Sequence, residues 1–140
     1  MKKLFLTLFL PLILVAFKWD FSHNFVLTKD AVGKIEVKKK QDASVRVVTL
    51  RWTLYQNERL VLLIKYDGFP TQYILQKKYK RDSIKIALRD DYHERSKRSY
   101  LILSFKDFNA KNRSALLKAF VTDPQKSLEI KFTDPKTRKG

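Results

Sequence analysis

The stretch Val45–Asp67, VRVVTLRWTLYQNERLVLLIKYD, limits what the rest of the chain can build. Two apolar runs rich in Val, Ile, Leu, Trp and Tyr, residues that suit a half-buried pleated surface, flank the polar segment Tyr55-Gln56-Asn57-Glu58-Arg59. This pattern predicts a β-hairpin. In the first run Val48, Leu50, Trp52 and Leu54 alternate with Val47, Thr49, Arg51 and Thr53, so one face is wholly apolar. The second arm offers Leu60, Leu62, Ile64 and Tyr66 as the matching set. A two-residue Gln56-Asn57 loop would oppose Thr53 to Leu60 and Arg51 to Leu62, mixing polar and apolar side chains on both faces. The expected register therefore uses a three-residue loop, Tyr55-Gln56-Asn57, with Asn57 left-handed before a bulge. It pairs Leu54 with Glu58, Trp52 with Leu60, Leu50 with Leu62 and Val48 with Ile64.

The flanking segments follow the same two-residue rhythm. Asn24 to Thr28 and Gly33 to Val37 read as two short strands, expected to form a first hairpin through Lys29–Val32. Lys38–Asp42 reads as a polar turn, and Asp67-Gly68-Phe69-Pro70 forces another after the central hairpin. Further strands are expected at Thr71–Lys77, at Ser83–Arg89 with Ile84, Ile86 and Leu88 on one face, and at Ser99–Phe108. The last of these is apolar on both faces, which places it centrally in a sheet. From Asn109 to Thr122 the spacing of Ala115, Leu116, Ala119 and Phe120 predicts one face of a short helix, capped by Asn109 or Asn112 and ended by Asp123-Pro124. Ser127–Thr133 returns to strand with Leu128, Ile130 and Phe132 inward. The predicted fold is all-β, an antiparallel sandwich or small partly open barrel of about eight strands, with one short helix before the last strand.

At the amino terminus Met1-Lys2-Lys3 precedes the apolar run Leu4–Phe17. A positive start, a short apolar stretch and a small residue at Ala16 have the layout of a secretory signal. The run is shorter than the roughly 20 residues that a membrane-spanning helix needs. Residues 1–16 are thus expected to be a signal peptide cleaved near Ala16, although Leu14 stands where a second small residue is usual. Residues 17–133 form a single β domain and residues 134–140 a basic tail, in a protein of the periplasm or secreted beyond it.

The 140 residues carry 30 basic and 14 acidic side chains, a formal charge of +16. Such a field favours polyanions, acidic proteins or anionic membrane and cell-envelope polymers as partners. The chain has no cysteine, which excludes disulfides, thiolate metal sites and a lipid-attachment cysteine. With three glycines it assembles neither a phosphate-cradling loop nor a nucleophile elbow, so no nucleotide or other cofactor is expected. Asp90, Asp91, His93 and Glu94 form the one loop whose residue types suit a divalent ion or acid/base chemistry. Arg89, Arg95, Lys97 and Arg98 surround it, pair with those acids and repel a cation, so neither a metal site nor an enzyme is expected.

Tyr73–Arg81 interleaves aromatic and basic residues as single-stranded nucleic-acid binders do, but an exported chain does not meet that partner. The densest cationic positions are Lys77, Lys78, Lys80 and Arg81, with Arg95, Lys97 and Arg98 beyond the next strand, and these are the candidate partner-binding residues. They occupy opposite ends of the Ser83–Arg89 strand. Together these features imply a non-enzymatic envelope protein that binds a protein or an anionic polymer through a cationic surface and a sheet edge, with peripheral membrane contact within its reach. The alternative is a carrier whose interior, among Trp52, Leu62, Ile86 and Leu103, encloses a lipid or other small apolar ligand.

Overall fold

A computed structural model describes residues 20–89 and 97–136; residues 1–19, 90–96 and 137–140 lie outside the described residues, and with them the expected signal peptide and most of the expected basic tail. The chain folds into two antiparallel sheets stacked as a sandwich and not closed into a barrel. Among the described residues nine strands run in order: β1 Phe21–Thr28, β2 Gly33–Lys39, β3 Val45–Gln56, β4 Arg59–Tyr66, β5 Phe69–Gln76, β6 Ser83–Arg89, β7 Ser99–Asn109, β8 Ser114–Thr122 and β9 Leu128–Thr133. The four-stranded sheet has the order β1-β8-β7-β6 and the five-stranded sheet β5-β4-β3-β2-β9.

The expected alternation is met where it matters for the core. Val48, Leu50 and Trp52 of β3 and Leu60, Leu62 and Ile64 of β4 are buried, facing Leu101, Leu103 and Phe105 of β7. Fully burying side chains of this size stabilises the fold by about 1.5–3 kcal/mol each. Trp52 also ties the sheets together: its indole N–H donates to Leu27 O of β1 at 2.7 Å, so the one polar atom of the largest core side chain is satisfied. At Gly33 the Phe25 ring comes so close that an added Cβ would lie 2.9 Å from Phe25 Cδ1. A side chain there would displace the ring.

Four expectations need correction. The central hairpin turns on Asn57-Glu58, with both residues at positive φ (53° and 63°), in place of the three-residue loop. That backbone twist matches the twist of the flanking strands and closes a two-residue turn. The register consequently slides by two: Trp52 pairs with Leu62, Leu50 with Ile64 and Val48 with Tyr66. A bulge at Thr53 then reverses the alternation, putting Leu54 outside and Tyr55 inside. Tyr55 stacks on Phe108 with ring centroids 3.8 Å apart, and Trp52 meets the same ring edge-on at 5.6 Å.

Second, β1 and β2 do not form a hairpin. They belong to different sheets, β1 beside β8 and β2 between β3 and β9. Third, the Asn109–Thr122 segment is a tight turn followed by strand β8. Asn109 does accept backbone N–H groups, from Lys111 at 2.9 Å and Asn112 at 3.4 Å, but it caps a turn and no helix. Ala115, Leu117, Ala119 and Val121 point inward, while Leu116 and Phe120 are half-buried on the other face. Such a central strand is apolar on both sides and mimics helical spacing. Fourth, the described residues hold nine strands, because this segment joins them, and a single 3-10 turn at Lys78–Lys80 follows β5.

Candidate functional site

Surface chemistry in this fold is set by which strand residues point away from the core. Along β4 the outward positions are Arg59, Val61, Leu63 and Lys65, a sequence of cation, two apolar groups and cation spanning on the order of 20 Å. Cross-strand pairing extends each position into a row. Leu54 of β3, Val61 of β4 and Ile74 of β5 are in register, and Leu54 and Ile74 remain 49% and 59% exposed. The next row holds Arg51, Leu63 and Gln72, and the one after it Thr49, Lys65 and Pro70. A recess of about 180 Å³ opens among Val32, Thr49, Arg51, Leu63 and Lys65. Among the described residues no ion pair or ring contact engages Arg51, Arg59 or Lys65.

The other half of the same outer face is different. Lys34 meets Glu36 at 3.1 Å and Lys38 meets Glu129 of β9 at 3.8 Å, with Lys131 opposite Glu36. On the outer face of the four-stranded sheet Lys85 lies 4.1 Å from the Tyr100 ring centroid and Lys118 5.0 Å from that of Phe120. Those lysines are engaged by their own neighbours.

The sequence-derived cationic residues fall on two places. Lys77, Lys78, Lys80 and Arg81 sit on the corner that carries the chain from β5 to β6, where Gln76 N–H donates to Arg81 O at 2.9 Å. Lys77 pairs with Asp107 at 3.4 Å and Lys78 with Glu58 at 3.1 Å, so half of this cluster is neutralised locally. Tyr79 between them is 82% exposed. Lys97 and Arg98 precede β7 at the far end of β6, about 20 Å away along the strand, and Arg95 lies outside the described residues. The two groups are not brought together. The Lys78–Glu58 pair instead joins the corner to the β3–β4 turn, beside the Arg59 end of the apolar rows.

Sequence reasoning missed this face. The signal was present in Val61 and Leu63, apolar residues at outward positions of a strand whose inward positions are also apolar. Leu54 was assigned to the core because the bulge at Thr53 leaves no mark in the sequence.

Among the described residues four strands form sheet edges, β1 and β6 of the one sheet and β5 and β9 of the other. At β5, Pro70 occupies a place where a missing N–H breaks no ladder. Along β1 a groove of about 920 Å³ runs between Asn24, Val26 and Thr28 and the segment Asp134–Lys136. His23 closes the β1/β9 side of the sandwich: its ring stacks on Phe132 at 5.0 Å, and its Nε2 lies 2.9 Å from Asp134 Oδ1.

The space named for a carried ligand is occupied by side chains, Trp52, Leu62 and Leu103 being wholly buried and Ile86 half-buried. Among the described residues no three His, Cys, Asp or Glu side chains converge as a metal site, and the Asp90–Glu94 loop is outside them. No family model, curated protein or solved structure matches the chain.

Proposed function

We propose that the protein is a non-enzymatic binding component of a bacterial cell envelope, exported through its amino-terminal segment, that engages an anionic partner through a cationic face and the adjoining sheet edge. The observation that carries this reading is the outer face of β3, β4 and β5. There, among the described residues, Arg51, Arg59 and Lys65 stand without counter-charges beside exposed Leu54 and Ile74, next to the β5 edge. A cation already paired with a carboxylate gives up that contact to bind an outside anion; an unpaired one loses only water. The net charge of +16 draws such a partner in.

The test is binding of soluble poly-glutamate against neutral dextran, followed by calorimetry as salt is raised. Poly-glutamate binding is expected, weakening by at least about tenfold as the screening length falls from roughly 10 Å to 3 Å, with none to dextran. Binding that ignores salt, or no binding, overturns the reading. Amino-terminal sequencing of the exported protein is expected to begin at Phe17.

A further inference from the structure

We infer that the outer face of β3–β5 is a seat for the surface of an anionic phospholipid bilayer, which rests on the binding reading above and names its partner. Two features of the face have to be explained together. The recess among Thr49, Arg51 and Lys65 sets two unpaired cations and a hydroxyl around an apolar floor of Val32 and Leu63, with a volume of about 180 Å³. That is room for several water molecules, and so for a headgroup phosphate in their place. Arginine and lysine supply the donors that phosphate oxygens accept.

Directly beside the recess runs the row Leu54–Val61–Ile74, which no phosphate needs. A soluble polyanion gains nothing from these side chains. A bilayer does: its headgroup layer takes the cations while the acyl boundary below takes the aliphatic groups. A second copy of the chain is disfavoured as occupant, because it would bring the same uncompensated cations against this face.

The experiment is flotation with vesicles of phosphatidylcholine alone or with about a third phosphatidylglycerol, at low and raised salt. The full chain is expected to favour the anionic vesicles by at least about tenfold, with the preference lost as salt rises. Arg51→Glu/Lys65→Glu lowers this binding at least about fivefold, whereas Lys34→Glu/Lys38→Glu, equal in net charge, lowers it less than about twofold. Leu54→Ser/Ile74→Ser leaves the charge untouched and still weakens binding a few-fold.

Three results overturn the assignment: no preference for anionic vesicles, equal losses from the two charge reversals, or no loss from the apolar pair. If the vesicles fail while poly-glutamate still binds, an acidic protein or polymer replaces the bilayer and the binding reading stands. If both probes fail, both readings fall.

Discussion

The five-stranded sheet offers two halves of one outer surface made from the same kinds of residue. On the β9–β2 half, lysines and glutamates alternate across the ladder and neutralise one another, as Lys34 with Glu36 and Lys38 with Glu129. On the β3–β5 half, arginine and lysine stand beside Leu54, Val61, Leu63 and Ile74 with no carboxylate paired to them among the described residues. Exposed ion pairs are worth at most about 1 kcal/mol, so stability explains little of the difference. On the binding reading proposed above, what separates the halves is their response to an outside anion. A lysine-rich composition alone does not create a binding face; the placing of a few acids decides which lysines remain available.

Three substitutions probe this contrast, beginning with the floor both halves share. Trp52→Ala removes the side chain that joins β3 to β1 and is expected to cost about 3–5 kcal/mol in denaturant unfolding, undermining both halves together. A loss below about 1 kcal/mol would show that the sheets do not depend on this contact. Glu36→Gln/Glu129→Gln should turn the quiet half into a second cationic face. Stability should change by no more than about 1 kcal/mol per pair, while poly-glutamate binding rises about two- to threefold; unchanged binding would mean that pairing does not silence those lysines. Leu54→Ser is expected to leave unfolding within about 0.5 kcal/mol of the parent, since the residue is half-exposed outside the core. A larger loss would return Leu54 to a structural role and weaken the contrast.

The all-β class and most inward-facing sets were legible in the sequence, because alternation at Val48, Leu50 and Trp52 or at Leu101, Leu103 and Phe105 follows directly from burial on one face. Three matters were not. The hairpin register depends on a two-residue turn and a one-residue bulge at Thr53, which together slide the pairing by two while leaving the inward set nearly intact, so hydrophobic patterning has little power to detect it. Strand β8 is central, flanked by β1 and β7, and carries Leu116 and Phe120 on its outer face, so an apolar run that includes Ala115 and Ala119 fits helical spacing equally well.

The candidate face was hidden for a related reason. It is assembled from Leu54, Val61 and Ile74, which neighbour one another only once two hairpins are in register. The run Lys77–Arg81 stands out in the sequence, yet two of its cations are already taken by Asp107 and Glu58.

The pairing of β1 with β8 also fixes an order of events. Strands β2 to β5 form a meander whose neighbours follow one another along the chain, so this half of the protein finds its contacts early. Phe21, by contrast, waits for Val121, and β2 accepts β9 on its free side only after nearly the whole described chain has emerged. A strand near the start of the described chain whose partner is made almost last acts as a delay against premature closure. The sandwich is sealed last, when Asp20 can accept the Asp123 N–H and His23 can reach Asp134.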